Sequence, residues 1–298
     1  AFGATDITHW GYHGIRLSQF EYGDFARAVW DAMERLNREL YVRHGRLATT
    51  WQPAPRRAAF WLSNCDLAHA GTERYDFAYA MERAEDLFRA LVDTGEPFDI
   101  VYDDEVLAGR LSRYRLLVTP PLKTATVSLA NALRQFIARG GVVVAPDGFD
   151  LPGVAGVQLI DVPQEAGGAH RQRDYPAWRE TLSRTEHRKW LHTVADRAMA
   201  AGGLAPRVRL NRRDVVANLM QAEGRSYLVL VNDNRTFGPW AAKYGKTSLD
   251  KGLAARVQVT MDGVTRVMDV DTGNALHVRS GSFAVTLEPG WGRILQYE

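Results

Sequence analysis

Two histidines near the start of the chain have a spacing that could hold a metal ion. His9 and His13 stand four residues apart, and on a helix this spacing would bring both imidazoles to one face. Gly11 and Gly14 disfavour a helix in this stretch, and no third ligand is evident. A glycine-rich loop is the better interpretation, so these histidines predict no metal site.

Two later patterns also fall short of a metal site. His187 and His192 stand five residues apart on a predicted helix and do not share a face, so we expect both at the solvated surface. Residues 232–234 (Asn-Asp-Asn) could begin a calcium loop, but residues 235–239 lack the further oxygen ligands that calcium needs. A turn explains them better. The sequence therefore predicts no metal and no cofactor.

Two carboxylates follow a predicted apolar strand at residues 142–145. They are Asp147 and Asp150. In open α/β folds ligands bind at the carboxyl edge of the sheet, where these side chains would lie. They could line a ligand site in that crevice, serve a hydrolase, or cap a turn, and we favour turn capping.

The first 56 residues predict a strand, a glycine-rich loop and a helix. The helix begins after Asp24, a suitable N-cap, carries apolar residues at three- and four-residue spacing, and is expected to end near Gly45. Such a unit cannot bury its strand and its helix face alone. We therefore expect it to be the terminal βα unit of a barrel whose other strands precede Ala1, with a linker at residues 53–57.

Residues 58–205 alternate between short apolar strands and amphipathic helices. Strands are predicted at 59–63, 98–102, 114–119 and 142–145, and helices at 75–92, 127–138 and 186–201. Apolar strands separated by helices are typical of a parallel, doubly wound sheet. This part of the chain is therefore expected to be an α/β domain.

Residues 206–298 change to an apolar period of two. Strands are predicted at 215–220, 227–231, 257–260, 266–270, 282–287 and 292–297, with a hairpin turn at residues 223–225. This pattern predicts an antiparallel β-sandwich that could form an independent domain.

Composition limits the partners. The chain has 37 basic and 35 acidic residues, a formal net charge of +2, which is too small to argue for nucleic acid. No run approaches the roughly 20 apolar residues of a membrane span, and no signal-peptide pattern is visible. Cys65 is the single cysteine, which excludes an internal disulfide framework and favours a cytoplasmic location.

Three stretches have the character of a known family. They are residues 98–102 (Phe-Asp-Ile-Val-Tyr), 114–120 (Tyr-Arg-Leu-Leu-Val-Thr-Pro) and 136–144 (Phe-Ile-Ala-Arg-Gly-Gly-Val-Val-Val). With residues 270–290, they resemble the carboxy-terminal part of family 42 β-galactosidases and related glycoside hydrolases. The resemblance implies the end of a TIM barrel, then a flavodoxin-like sheet, then a β-sandwich. The sheet belongs to the β-galactosidase trimerisation domain, which is similar to class I glutamine amidotransferases.

The resemblance also implies where catalysis takes place. The family's catalytic glutamates lie on the fourth and seventh barrel strands, which would precede Ala1, so we expect no catalytic residue in this chain. The barrel end could instead bind sugar through His9, Trp10 and Tyr12, with Glu21 near the rim. An aromatic ring offers a flat apolar face to a sugar ring. Filling the barrel end is the alternative role for these aromatic residues.

Amidotransferase activity is not expected from the α/β domain. That family needs a cysteine on the elbow after the strand at 142–145, where this chain has residues 146–150 (Pro-Asp-Gly-Phe-Asp). Cys65 follows the first strand instead, and no His-x-Glu motif occurs. We expect Cys65 to be a small buried residue.

The sequence therefore predicts the non-catalytic, carboxy-terminal portion of a β-galactosidase-like glycoside hydrolase that acts in carbohydrate degradation. Residues 58–205 would organise a homo-oligomer, a trimer or a dimer, and residues 206–298 would support the substrate side. The expected partners are a carbohydrate substrate and the missing catalytic barrel. The alternative is a stand-alone scaffold that binds carbohydrate or a small ligand, with residues 1–56 folded back onto the rest of the chain.

Overall fold

The structure is a computed structural model that describes residues 31, 34–35, 37–70, 77–146, 149–160, 184–236 and 251–298. It contains an α/β unit followed by an antiparallel β unit, and a helix precedes both. The predicted succession of a parallel sheet and antiparallel sheets is confirmed.

The preceding helix is longer than the sequence suggested. It has π-helical geometry over Asn37–Val42 and continues as α1 (Arg43–Thr50). The predicted end at Gly45 is wrong, because Gly45 lies inside α1 and does not have the positive φ of a C-terminal glycine. Leu47 and Trp51 pack together against the antiparallel unit, and this packing favours helix beyond Gly45.

A two-residue strand, β1 (Gln52–Pro53), follows α1. It pairs antiparallel with Gln221 and Met220 of the antiparallel unit. Ala54 is buried there, and its N–H donates to the Leu219 carbonyl at 3.0 Å. The stretch predicted as a linker thus begins as an edge strand.

Five parallel strands form the sheet of the α/β unit. They are β2 (Ala58–Trp61), β3 (Phe98–Val101), β4 (Leu116–Val118), β5 (Val142–Pro146) and β6 (Gln158–Ile160). Their spatial order is β3-β2-β4-β5-β6. All four residues of β2 are buried, as expected for a central parallel strand whose two faces are both covered.

Helices cover both faces of this sheet. They are α2 (Asn64–Ala70), α3 (Phe77–Val92), α4 (Asp103–Leu107), α5 (Val127–Ala138) and α6 (Arg184–Ala201), with a 3₁₀ turn at Arg110–Arg113. On one face α3 and α6 pack against Ala58 and Phe60. On the other, α4 and α5 pack against Ala59 and Trp61. No helix among the described residues is long and apolar enough to cross a membrane.

The expectation that His187 and His192 lie at the solvated surface is wrong. Both lie where α6 packs along α3. His187 Nε2 is 3.0 Å from Asp86 Oδ1, with the two side chains 5% and 0% exposed, and its ring stacks on Trp190. His192 Nε2 lies 3.1 Å from Asp93 Oδ2. Acidic partners on and directly after the facing helix allow His187 to be buried and His192 to be half-buried.

The described residues of the antiparallel unit form ten strands. They are β7 (Arg209–Leu210), β8 (Val215–Ala222), β9 (Arg225–Asn232), β10 (Arg235–Thr236), β11 (Lys251–Gly252), β12 (Ala255–Thr260), β13 (Val267–Asp269), β14 (Ala275–Leu276), β15 (Ser282–Leu287) and β16 (Gly292–Tyr297). The larger sheet has the order β1-β8-β9-β16-β13-β14 and the smaller one β15-β12-β7, while β10 pairs with β11.

The two larger antiparallel sheets enclose a common core. Leu219, Leu228 and Leu230 from one sheet pack with Val257 and Phe283 from the other. The predicted hairpin is present, since β8 and β9 are joined by Glu223 and Gly224, both with positive φ. This arrangement is a β-sandwich, with α1 on the outer face of its larger sheet.

Candidate functional site

Most of the site residues named from the sequence lie outside the described residues. These are His9, Trp10, Tyr12, Glu21 and Asp147. Asp150 is described, and its side chain is exposed. Its backbone N–H donates to the Leu122 carbonyl at 2.9 Å, so the turn that carries it is held against the loop after β4.

The carboxyl edge of the parallel sheet holds Asp103, a residue that the sequence did not single out. It begins α4 directly after β3. Its Oδ1 accepts from Trp61 Nε1 at 2.9 Å, and its Oδ2 accepts from the Cys65 N–H at 2.8 Å and from Ser63 Oγ at 3.3 Å. The carboxylate thus joins the ends of two neighbouring strands.

A second carboxylate at this edge has a similar role. Asp66 is buried in α2, and its Oδ1 accepts from the backbone N–H groups of Lys123 at 2.8 Å and Thr124 at 2.9 Å. Its own N–H donates to Ser63 Oγ. Carboxylates bonded in this way fix loops, so Asp66 and Asp103 are committed to structure.

Cys65 lies beside the same network. Burial and the nearby Asp103 carboxylate raise the pKa of its thiol. The thiolate is the nucleophilic form of cysteine, so a raised pKa disfavours reactivity. Cys65 is half-buried, not fully buried as expected, and the raised pKa of its thiol does not favour a catalytic role.

A buried carboxylate lies at the junction of the two units. Glu96 is 3% exposed and accepts from Arg57 Nε at 3.0 Å and Arg57 Nη2 at 2.7 Å. It also accepts from the Arg207 backbone N–H at 3.0 Å, while Arg207 Nε lies 3.3 Å away. The hydrogen bond with Glu96 raises the pKa of Arg57. Glu96 therefore connects the start of the parallel sheet to the start of the sandwich.

Arg56 makes a second connection across the junction. Its Nη1 donates to the Leu219 carbonyl of β8 at 3.2 Å, and its Nε lies 3.6 Å from Asp99 Oδ1 of β3. Burial lowers the pKa of Arg56 to about 10, against the opposing effect of Asp99. Two neighbouring arginines thus fasten the α/β unit to the sandwich.

A cleft of about 530 Å³ lies between α6 and the sandwich. Its lining consists mainly of basic side chains from four separate stretches of the chain. The lining residues are Arg188, Lys189, His192, Asn211, Arg212, Arg213, Asp214, Asn234, Arg235 and Arg256. We call it the basic cleft.

Ion pairs across the basic cleft hold its walls together. Arg188 of α6 lies 3.0 Å from Asp233 Oδ2, and it donates to the backbone carbonyls of Asp233 and Arg213 at 3.3 Å each. Asp214 accepts from Arg212 Nε and Nη2. Desolvation opposes ionisation of Asp214, but the hydrogen bond and charge of Arg212 outweigh it, and the pKa of Asp214 is lowered.

Sequence reasoning missed the basic cleft because its residues come together only in the folded chain. Arg212 and Arg213 are adjacent, but Arg188, Arg235 and Arg256 lie tens of residues away. The adjacent arginines were the one local signal. Among the described residues no group of His, Cys, Asp or Glu side chains could hold a metal ion.

Solved structures with a similar fold are glycosidases. An α-L-fucosidase isoenzyme 2 from Paenibacillus thiaminolyticus matches with a TM-score of 0.57 at 13% identity, over 87% of this chain and 50% of that chain. A β-galactosidase from Bacillus circulans sp. alkalophilus matches with a TM-score of 0.51 at 14% identity, over 88% of this chain and 44% of that chain. The GH42 β-galactosidase Gan42B from G. stearothermophilus matches with a TM-score of 0.50 at 13% identity, over 82% and 40% of the two chains.

No protein-family model matches the sequence, and no curated protein matches it. This chain spans half or less of the length of the solved structures that it matches. At these identities the likeness concerns the fold alone. The resemblance inferred from the sequence motifs is confirmed at that level: the chain has the fold of part of a GH42 β-galactosidase.

Proposed function

We propose that this chain is the non-catalytic, carboxy-terminal portion of a β-galactosidase-like glycoside hydrolase. The observation that carries the proposal is the extent of the structural likeness. It covers more than four fifths of this chain but only 40–50% of the glycosidase chains. The catalytic barrel would then be supplied by residues that precede Ala1.

The carboxylates of the α/β unit support a structural role for that unit. A retaining glycosidase needs two carboxyl groups roughly 5 Å apart, one of them free to attack the sugar. Asp66 and Asp103 instead accept hydrogen bonds from Lys123, Trp61 and Cys65. In the proposed whole enzyme, sugar contacts from this chain would come from His9, Trp10, Tyr12 and Glu21 at the barrel end.

The proposal also includes the α/β unit: its fold is flavodoxin-like, and its role is to hold the subunits of an oligomer together. If its strands are numbered one to five along the chain, their order across the sheet is 2-1-3-4-5, which is the flavodoxin-like order. The edge strand β3 and the helix after it expose Ile100, Tyr102 and Leu107, which are 42%, 42% and 51% accessible. An exposed apolar edge is a surface on which a second copy could pack.

The oligomer can be tested by light scattering after size-exclusion chromatography. We expect the unchanged chain to have the mass of a dimer or trimer, and the double variant Ile100→Asp with Leu107→Asp to have the 33.3 kDa mass of one chain. Val127→Asp, at an exposed apolar position on α5, is the matched control and should keep the larger mass. A monomeric unchanged chain would remove this role.

The alternative is a stand-alone carbohydrate-binding scaffold, and one observation favours it. Such a protein should fold its opening residues onto its own chain. Leu47 and Trp51 pack on the sandwich, and Arg35 both pairs with Glu288 at 2.6 Å and stacks on Trp291 at 4.2 Å. In the leading proposal the same contacts anchor the barrel to the sandwich.

The mass of the polypeptide in its native cells separates the two proposals. An antibody raised against this chain should detect a band at about twice 33.3 kDa, since the chain spans half or less of the similar structures. We expect it in the cytoplasmic fraction, because the portion of it given by this chain has one cysteine and so forms no disulfide within itself. A native band at the mass of this chain alone would favour the scaffold.

A further inference from the structure

The basic cleft concentrates positive charge in a nearly neutral chain. The whole sequence carries a formal charge of only +2. Of the ten described residues that line the cleft, six are Lys or Arg and one, Asp214, is acidic. Like charges brought this close repel one another, and a bound anion would relieve that repulsion.

Neighbouring carboxylates neutralise only part of this charge. Three aspartates face four of the arginines. The pairs are Arg188 and Arg235 with Asp233, Arg212 with Asp214, and Arg213 with Asp196. Counted over the described residues, these four arginines and three aspartates leave an excess of one positive charge.

Two further cations enlarge the excess. Lys189 on α6 and Arg256 on β12 are exposed and make no ion pair with the residues that the structure describes. They come from opposite sides of the cleft, one from the α/β unit and one from the sandwich. Their side chains are therefore placed to contact one ligand together.

The walls that carry these cations are fixed in place. Arg188 joins α6 to the Asp233 and Arg213 carbonyls, and Arg213 joins the loop before β8 back to Asp196 on α6. A site whose walls are already tied together loses less freedom when a ligand binds. The volume of about 530 Å³ lies within the usual range for small-ligand sites.

We propose that the basic cleft binds a carbohydrate that carries sulfate or carboxylate groups. Guanidinium groups bind such oxyanions with paired hydrogen bonds. At the cleft Asn211 Oδ1 accepts from the Gln258 N–H, and Asn234 Nδ2 donates to the Ala254 carbonyl. The other atom of each amide group, Asn211 Nδ2 and Asn234 Oδ1, suits a hydroxyl group. That the ligand is a carbohydrate rests on the proposed function, and that it carries negative charge rests on the geometry of the basic cleft.

Isothermal titration calorimetry on the whole chain tests this inference. The probes are a galactose disaccharide with one sulfate group, the same disaccharide without sulfate, and sodium sulfate, all at one ionic strength. The sulfated disaccharide should bind, the unsulfated one should bind at least about tenfold more weakly because it lacks a charged hydrogen bond, and sodium sulfate should also bind more weakly. Equal affinities for the sulfated disaccharide and sodium sulfate would overturn the carbohydrate assignment.

Variants locate the binding. The double variant Lys189→Gln with Arg256→Gln should weaken binding of the sulfated disaccharide by about tenfold or more. Neither side chain forms an ion pair with the described residues, so folding should be kept, and this is checked by the thermal midpoint. Arg279→Gln, an exposed arginine elsewhere on the sandwich, should bind like the unchanged chain. Unaltered binding by the double variant would overturn the site.

The two proposals fail in different ways. Binding of the sulfated disaccharide by a protein whose native mass is that of this chain alone would keep the basic cleft and remove the glycosidase proposal. A native polypeptide about twice as long that binds none of the three probes would keep the glycosidase proposal and remove the basic cleft as a binding site.

Discussion

At the scale of single residues, the most informative side chains are carboxylates that act as structural acceptors. Asp103 joins Trp61, Ser63 and Cys65 at the carboxyl edge of the sheet. In many α/β proteins that edge holds a ligand. Here Asp103 accepts hydrogen bonds from donors of the chain itself. The carboxylate at the position where a catalytic or ligand-binding role would be expected therefore has a structural role.

Asp103→Asn should destabilise the fold. The amide keeps one acceptor oxygen but places an NH₂ group where the Cys65 N–H or the Trp61 Nε1–H now donates. Loss of a charged hydrogen bond of this kind costs about 2 kcal/mol. Urea denaturation followed by circular dichroism measures the change. Asp104→Asn, an exposed neighbour in the same helix, should cost little, and equal losses in the two variants would contradict the assigned contacts.

The Cys65 thiol should ionise at a higher pH in the folded chain than in the unfolded one. Burial first, and Asp103 second, raise its pKa. Less thiolate is then present at a given pH, so alkylation by iodoacetamide should be slower and its pH midpoint higher than in urea. The chain has one cysteine, so the rate reports this residue alone. A midpoint at or below that of the denatured chain would contradict the proposed environment.

Residue roles were harder to infer from sequence than residue positions. The sequence correctly predicted helices over residues 127–138 and 186–201, yet it placed His187 and His192 at the surface. Their partners Asp86 and Asp93 lie about a hundred residues earlier. Helical periodicity identifies the apolar face of one helix, but it contains no information about which acids the facing helix supplies.

At the scale of elements, strands and helices form where the local sequence patterns predicted them. The residues at which they end and join were predicted less well. Turn chemistry gave the β8–β9 hairpin at Glu223 and Gly224. The same reasoning placed a helix end at Gly45, where packing of Leu47 and Trp51 carries α1 on to Thr50. Tertiary packing overrides the weak preference of a single glycine.

Gly95 should be more sensitive to substitution than its backbone angle alone requires. Its φ is +73°, and a Cβ there would lie 2.5 Å from the Val208 carbonyl oxygen at the start of the sandwich. Gly109 is a matched control with φ of +78° and no atom within 4 Å of a Cβ. Gly109→Ala should cost about 1 kcal/mol from strain alone, and Gly95→Ala clearly more.

Chemical denaturation of the two alanine variants measures this difference. The excess loss in Gly95→Ala reports the close approach of the end of α3 to the sandwich. Similar losses in both variants would show that Val208 does not pack closely against Gly95.

At the scale of the whole molecule, a buried polar junction joins the α/β unit to the sandwich. Glu96 contacts Arg57 and Arg207, and Arg56 reaches Leu219. Buried charges that depend on one another fix relative orientation, provided that each has its partner. The two units should therefore unfold together.

Glu96→Gln should weaken that coupling. Removal of the charge leaves two arginines without their carboxylate and should cost about 3 kcal/mol, the lower end for a broken buried pair, since both arginines are partly exposed. Differential scanning calorimetry should change from one transition to two. Glu85→Gln, an exposed residue on α3 that pairs with Arg89, is the control and should keep one transition. A single unshifted transition for Glu96→Gln would contradict the junction.

For the molecule as a whole, the sequence predicted the succession of structural units but not the surface features that form between them. Alternating strand and helix patterns, followed by period-two strands, gave the α/β unit and the sandwich, and the motifs at 98–102, 114–120 and 136–144 led to the glycosidase fold. The basic cleft was not predictable, because Lys189 and Arg256 meet only when the two units pack together.

The decisive experiment is turnover of a chromogenic β-galactoside by two proteins: this chain, and the longer polypeptide that the proposed function expects to contain it. The longer polypeptide should release the chromophore, and this chain at equal molarity should give the rate of the buffer blank. Steady hydrolysis by this chain alone, lost when Asp150 is replaced by Asn, would contradict the claim that its chemistry lies in residues before Ala1.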